Sequence, residues 1–329
     1  MSRANKVWRI AGGIVLALVL LVLVVPLVWP VPPLPGTSDP SQLARPSDKF
    51  VDVEGIRFAY RESGSPDAGR TIVLLHGFGA STFSWRDQLD LLSGDARVIA
   101  FDRPAFGLTE RPLPGSYSAS NNPYALAASA EQTVKLMDAL KVDRAVLVGH
   151  SAGGLVAAAV AAKYPERVEA LVLEDPAIFQ TGGVPSALKP LLRTVQMRRI
   201  GPLIARQLAG PEGDAFIRRA FFDPAKVTTA TLEGYRYPLK AKDWDKALWE
   251  FTAAPRDAAV ANNLGSIAVP TLVVAGAEDR IVSVDSIKRV AGAIRGARLV
   301  EFPETGHIPH EERPAEFAAQ VKEFLGPTR

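Results

Sequence analysis

Gly149-His150-Ser151-Ala152-Gly153 is the stretch whose reading decides the fold. It has the form G-x-S-x-G. The apolar run Ala145-Val146-Leu147-Val148 precedes it, and Leu155-Val156-Ala157-Ala158-Ala159-Val160-Ala161-Ala162 follows. Strand, sharp turn and helix is the context in which a serine is presented as a nucleophile. A turn this tight is strained, so the residues flanking the serine must be small, and Gly149 and Gly153 meet that demand. The strain is expected to point the Ser151 hydroxyl away from the sheet. A bare G-x-S-x-G arises easily by chance; the flanking strand and helix give this one its weight.

A serine hydroxyl is a weak nucleophile at neutral pH. It needs a histidine to take its proton and a carboxylate to hold that histidine in one tautomer. The strand pattern Pro270-Thr271-Leu272-Val273-Val274-Ala275-Gly276 leads into Ala277-Glu278-Asp279-Arg280, and Leu299-Val300-Glu301-Phe302 leads into Glu304-Thr305-Gly306-His307. Asp279 is therefore the expected acid and His307 the expected base. Glu278 competes for the acid, as does Asp175, which ends the strand after the serine turn. His310 is the competitor for the base, but a surface or loop place is expected for it. His76 is expected to be structural, and the His150 ring is expected to point away from Ser151. Thr71-Ile72-Val73-Leu74-Leu75 closes on His76-Gly77-Phe78-Gly79, where glycines let backbone N–H groups approach a developing oxyanion. The expected donors are the N–H groups of Phe78 and of Ala152. Asp102 also ends a strand, and its Arg103-Pro104 context suggests a loop-holding hydrogen bond.

The chain resembles the α/β-hydrolases, the large group containing esterases, meta-cleavage C–C hydrolases, epoxide hydrolases and haloalkane dehalogenases. The order Ser151, Asp279, His307 is that group's order. His76-Gly77-Phe78-Gly79-Ala80-Ser81 resembles its first loop. Phe101-Asp102-Arg103-Pro104-Ala105-Phe106-Gly107 resembles its D-x-P-G-x-G loop, with Ala105 where glycine is usual. Gly306-His307 and Pro314 resemble its histidine loop. The likeness runs from about Phe50 to about Leu325. It implies an α/β-hydrolase fold, a mostly parallel central sheet flanked by helices, with an inserted helical cap. The nucleophile is serine, whereas epoxide hydrolases and dehalogenases of the group carry aspartate there, so their reactions are disfavoured.

The strand and helix signals agree with that implication. Phe50-Val51-Asp52-Val53 and Ile56-Arg57-Phe58-Ala59-Tyr60 read as a hairpin about Glu54-Gly55. Short apolar runs at 72–75, 98–101, 145–148, 170–173, 271–275 and 299–302 read as strands of a sheet buried on both faces. Helices are expected near 82–92, 124–140, 154–163, 284–293 and 314–325. Far more residues separate the strands at 170–173 and 271–275 than an ordinary crossover needs. The expected organisation is an anchor over 1–29, a proline-rich linker over 30–47, a hydrolase core over 48–177 and 264–329, and a cap over 178–263. Aromatic residues of the cap are expected partly to pack it on the core and partly to line an apolar pocket above Ser151.

Charge and composition narrow the partners. Residues 1–47 hold Arg3, Lys6, Arg9 and Arg45 against Asp39, a net of +3, which equals the charge of the whole 329-residue chain. The rest balances to zero, so no basic groove for nucleic acid is expected. Cysteine is absent, which excludes disulfides, thiolate metal sites and a cysteine nucleophile. No metal and no cofactor is expected. Residues 10–29 are twenty in a row without a charge, ~30 Å of helix, the thickness of a bilayer core. Arg3, Lys6 and Arg9 precede them, so a single span with a cytoplasmic N-terminus and an external catalytic domain is expected. The competing reading is a cleaved signal peptide, whose apolar region is normally ~7–15 residues before a small-residue site; this run is longer and is followed by prolines.

The functional expectation is a membrane-anchored serine hydrolase that cleaves carboxylic esters of apolar substrates. One alternative is C–C bond hydrolysis, because Phe221-Phe222-Asp223-Pro224 with Val227-Thr228 resembles meta-cleavage hydrolases; the substrate would then be a small ketone. The alternative of another class is a non-catalytic binding protein on a hydrolase scaffold.

Overall fold

The structure, a computed structural model, describes residues 3–118, 120–179, 184, 186–255 and 259–327. Parts of the expected anchor (1–2) and of the expected cap (180–183, 185 and 256–258) lie outside the described residues. The strands are β1 (Lys49–Val53), β2 (Ile56–Ser63), β3 (Thr71–Leu75), β4 (Arg97–Phe101), β5 (Ala145–His150), β6 (Val168–Glu174), β7 (Thr271–Gly276) and β8 (Arg298–Phe302). They form one eight-stranded sheet in the order β1-β2-β4-β3-β5-β6-β7-β8. β1 and β2 form the hairpin, β2 pairs antiparallel with β4, and every further pairing is parallel. The molecule has the α/β-hydrolase fold.

The apolar runs read as buried strands because their side chains divide alternately between two cores. Val73, Leu75, Leu147, Val273 and Ala275 face one core. Ile72, Leu74, Val146, Val148, Leu272 and Val274 face the other. A long N-terminal helix, α1 (Arg3–Val28), stands apart from this arrangement, and α2 (Arg86–Leu91), α3 (Leu126–Ala139) and α4 (Ala152–Lys163) lie within it. α4 is apolar on nearly all sides, as a helix buried against a sheet must be. Between β6 and β7 come α5 (Lys189–Leu192), α6 (Val195–Ala205), α7 (Pro211–Ala220), α8 (Thr229–Arg236), α9 (Trp244–Ala253) and α10 (Ala259–Asn262). α11 (Val284–Ala293), α12 (Pro309–Glu312) and α13 (Pro314–Leu325) complete the chain. The α3, α4 and α11 side chains Val134, Val156, Val160, Ile287 and Val290 cover the first core, and α13 with the α2 region covers the second through Phe317, Val321, Trp85 and Leu89.

The strand order reverses at β3, which lies between β4 and β5. In open α/β sheets the crevice at such a reversal, beyond the carboxyl ends of the strands, is where ligands bind. Gly77 follows β3 and Ser151 follows β5, so both meet at that crevice.

Residues 34–45 are attached to the inserted helices. Ser38 N donates to Lys240 O at 2.9 Å and Lys242 N donates to Ser38 O at 2.8 Å. The Tyr237 hydroxyl donates to Leu43 O at 2.7 Å, and the Arg45 guanidinium lies 4.0 Å from the centroid of the Tyr237 ring.

Candidate active site

The turn after β5 has the strain its sequence implies. Ser151 sits at φ 52°, ψ −117°, a conformation an L-residue adopts only where its surroundings enforce it. The enforcement is steric. A Cβ on Gly149 would lie 2.6 Å from Gly153 O, and one on Gly153 would lie 2.1 Å from Leu75 O. Neither glycine is needed for a positive φ; each is needed because another backbone passes where its side chain would be. Ser151 N donates to Glu174 O at 2.9 Å, tying the turn to the end of β6.

The structure brings His307 and Asp279 together. His307 Nδ1 lies 2.7 Å from Asp279 Oδ2. The other carboxylate oxygen accepts from Ile281 N at 2.6 Å and from Val282 N at 3.0 Å. An Nδ1–H donated to Asp279 leaves Nε2 as the ring's acceptor. Ser151 and His307 line the same cavity of ≈ 540 Å³, with Phe78, Ala152, Ile178, Phe216, Ile217 and Phe251 among its walls. No hydrogen bond yet joins Ser151 to His307 among the described residues; such contacts commonly tighten only in the Michaelis complex. The expected oxyanion donors Phe78 and Ala152 flank the same space, at the end of the β3 loop and at the first turn of α4.

The two aspartates that compete in the sequence are neighbours in space. Asp175, Asp279 and His307 offer atoms within 4.8 Å of one another. Asp175 is fully buried, and Gly276 N donates to its Oδ1 at 3.0 Å. Burial, then the nearby carboxylates of Asp279 and Glu174, push its carboxyl well above the usual range. Asp279 is the carboxylate that meets the histidine, whereas Asp175 is held by Gly276 N. The trio does not fit a metal well, because His307 and Asp279 are spent on each other at 2.7 Å.

The remaining histidines support the loops around the site. His76 Nδ1 donates to Gly77 O at 2.8 Å, while its Nε2 accepts from Arg103 N at 3.1 Å. That pairing needs the neutral ring, and burial together with the Arg103 charge pushes its pKa well below the ordinary value. His150 Nε2 donates to His307 O at 2.8 Å, tying the serine turn to the histidine loop. Burial and the adjacent His307 and His310 rings push its pKa well down.

His310 departs from expectation. It was expected at the surface or in a loop, and it is 0% exposed. Its ring stacks on Trp85 at 4.1 Å, and its Nδ1 and backbone N both reach Glu174 Oε1, at 2.9 and 2.8 Å. The polar side chain is buried because a buried carboxylate receives it and an indole face covers it, neither of which its sequence neighbours reveal.

Three supporting residues were not legible as such in sequence. Arg103 is buried, and its Nη2 donates to His76 O at 2.9 Å and Gly77 O at 3.4 Å, pinning the loop that ends in the Phe78 N–H; burial lowers its pKa to about 10. Glu174 anchors His310. Glu312 accepts from Gly306 N at 2.6 Å and from Phe222 N at 2.9 Å, clamping the histidine loop to the inserted helices. Asp102, expected to hold a loop, accepts from Thr82 N at 2.6 Å and Leu108 N at 2.8 Å.

Comparison with known proteins places the chain in a family. The family model described as alpha/beta hydrolase fold matches residues 70–314, most of the chain, and the protein belongs to that family as one of its hydrolases. Its relatives include the 2-hydroxymuconate semialdehyde hydrolase of Pseudomonas sp. strain CF600, 30% identical over 288 residues, covering 84% of this chain and 92% of the relative. An enol-lactonase from Burkholderia xenovorans LB400 superposes with a TM-score of 0.67 at 28% identity, covering 84% of this chain and 99% of that one. A membrane phospholipase A, described as a bacterial virulence factor, superposes with a TM-score of 0.65 at 27% identity and covers 97% of this chain and 98% of that one.

Proposed function

We propose that the protein is a membrane-anchored serine hydrolase that cleaves carboxylic esters of apolar substrates. The observation that carries the reading is the 2.7 Å His307–Asp279 contact beside a strained Ser151, on one apolar-walled cavity. Ser151 Oγ attacks the ester carbonyl as His307 Nε2 takes its proton. Asp279 holds the ring and stabilises the imidazolium. The Phe78 and Ala152 N–H groups receive the oxyanion, each worth roughly 3 kcal/mol in comparable sites. His307 then gives the proton to the departing alcohol, and water attacks the acyl-enzyme through the same base.

The anchor reading rests on α1, whose segment Val7–Val28 contains an 18-residue window of mean hydropathy 3.0 with no fully buried residue. The likeness to a membrane phospholipase A over nearly the whole chain supports it together with the ester. Hydrolysis of a C–C bond is the second reading, supported by the 2-hydroxymuconate semialdehyde hydrolase relative.

The test is covalent. A fluorophosphonate probe should label the protein, and Ser151→Ala should abolish both labelling and ester turnover, by on the order of 10⁴-fold or more, with the melting temperature unchanged. Asp279→Asn should cost roughly 10⁴-fold, because the wrong histidine tautomer is then favoured, and Asp175→Asn far less. If Asp175→Asn is the more damaging, the acid is misassigned. Turnover of a ring-fission dienone in preference to every member of an ester-length series would favour the C–C reading.

A further inference from the structure

The inserted helices touch α1 at a level that matters. Gln196, in the first turn of α6, donates its Nε2 to Leu23 O at 3.3 Å. Arg199 donates to Trp29 O at 3.2 Å and Arg206 to Pro32 O at 2.9 Å. α6 therefore runs beside the carboxyl end of α1, with its amino-terminal end the deeper. If α1 spans a bilayer, Leu23 lies within the hydrocarbon. A span ending at Leu23 would contain only the 14 uncharged residues 10–23, ~21 Å of helix against a core of ~30 Å. Carried on to Val28, the segment Val7–Val28 matches that thickness, and Leu23 then sits ~7 Å below its end. The start of α6 and the residues just before it must share that depth.

The surface of that segment is built for it. Leu188, Leu191 and Val195, spaced three and four apart, are 49%, 56% and 71% exposed, large apolar side chains open to solvent. From Pro176 to Pro211 the sequence contains Lys189, Arg193, Arg198, Arg199 and Arg206 and not one aspartate or glutamate. Arg198 and Arg206 pair with Glu250 and Asp245. Arg193 and Arg199 form no ion pair among the described residues, and donate to backbone carbonyls instead. Exposed leucine and valine rimmed by arginine is the chemistry of a surface that sinks into the boundary of headgroups and acyl chains.

We propose that the segment 188–199 is a second membrane contact, in which Leu188, Leu191 and Val195 enter the acyl region beside α1 and the unpaired arginines meet lipid phosphates. The contact rests on the anchor reading of α1 and adds a consequence for substrate. Arg193 Nε donates to Ala253 O at 2.9 Å, and the next residues, Ala254 and Pro255, line the catalytic cavity. The docked segment thus holds one edge of the cavity at the bilayer, so an ester borne by a lipid reaches Ser151 without crossing water.

The chain has no cysteine, so single cysteines report position cleanly. Full-length Leu191→Cys, Val195→Cys, Leu16→Cys and Asp67→Cys proteins, each carrying an environment-sensitive NBD label, are reconstituted in phosphatidylcholine–phosphatidylglycerol vesicles. Asp67 is exposed on the loop entering β3, at the opposite end of the strands from the site. Labels at 16, 191 and 195 should be quenched by nitroxide-bearing lipids and shielded from iodide, while the label at 67 should show the reverse. If 16 is shielded and 191 and 195 are open to iodide, the docking proposal is overturned and the anchor stands. If 16 is open as well, the anchor reading falls and the docking with it. As a second readout, the double variant Leu191→Glu, Val195→Glu should hydrolyse a vesicle-borne phospholipid ester roughly tenfold or more slowly, while turnover of a soluble short-chain ester stays within about twofold. Equal loss on both substrates, or none on vesicles, overturns the proposal.

Discussion

Gly77 shows how finely the site is fitted. A Cβ there would stand 2.8 Å from His150 Nδ1 and 3.3 Å from Ser151 Cβ. The His150 ring cannot swing aside freely, because its Nε2 is held by His307 O. Gly77→Ala should therefore push His150 off the histidine loop and misplace His307 against Ser151. A displacement of about 1 Å can cost roughly 10²-fold in rate. We expect a loss of kcat of that order with KM for a short ester little changed, measured by steady-state kinetics. Full activity would show that the loop gives way at no cost. Ala105 illustrates the opposite compromise: it sits at φ 79°, where the family's usual glycine has no strain to bear, and packs its methyl group among Phe106, Tyr124 and Trp244. The residue types that carry chemistry were legible one by one, since Ser151, Asp279 and His307 each follow a strand. Asp279 was chosen over Asp175 from the order of the strands they follow, with no view of how close the two carboxyls lie in space. Which of them meets His307 depends on the path of the loop after β7.

Among the elements, the strands and flanking helices follow their sequence patterns closely. The β1–β2 hairpin turns at Glu54-Gly55, both at positive φ. α11 and α13 occupy 284–293 and 314–325, the segments where helices were expected. These are local matters of periodicity, caps and turn residues. The segment 34–45 is different. Prolines and polar residues read as a semi-extended linker, yet the backbone of Ser38 bridges to the chain around Ala241 and Leu43 accepts from Tyr237. Truncation can separate the two roles. Removing residues 1–33 should yield a soluble enzyme whose melting temperature falls little, because the three hydrogen bonds it loses, from Gln196, Arg199 and Arg206, are exposed to solvent. Removing residues 1–47 should lower stability by about 3 kcal/mol, at ~1 kcal/mol for each lost hydrogen bond, seen as a melting temperature several degrees lower. Equal melting temperatures for the two truncations would mean that the attachment contributes nothing.

For the molecule as a whole, stability should depend on pH through groups buried in one ionisation state. His76 and His150 are neutral and their folded pKa values are depressed by burial. Unfolding lets them protonate below their free value near ~6.5. Their contribution is therefore complete above that pH and is lost as pH falls, by up to about 4 kcal/mol for the pair between pH 7 and 5. Asp175 works in the other direction, because its folded pKa is raised: its contribution is complete below the free value of ~3.8 and declines as pH rises toward its folded pKa. Asp175→Asn should consequently steepen the gain in stability from pH 5 to 7, measured by urea denaturation of the protein lacking residues 1–33. A flatter profile in the variant would contradict the upward shift of the Asp175 carboxyl by burial.

By itself, the amino-acid sequence determined the class of fold, the strand that ends in Ser151, the placing of Asp279 and His307 after later strands, and the apolar character of α1, because each is written in short-range spacing. The tertiary structure decided what depends on chain segments far apart in sequence meeting in space. It buried His310 between Glu174 and Trp85, set Asp175 beside Asp279, clamped the histidine loop to the inserted helices through Glu312, and laid the start of α6 against Leu23. Burial and charge state are properties of a neighbourhood, and no local pattern specifies which distant side chains will supply it.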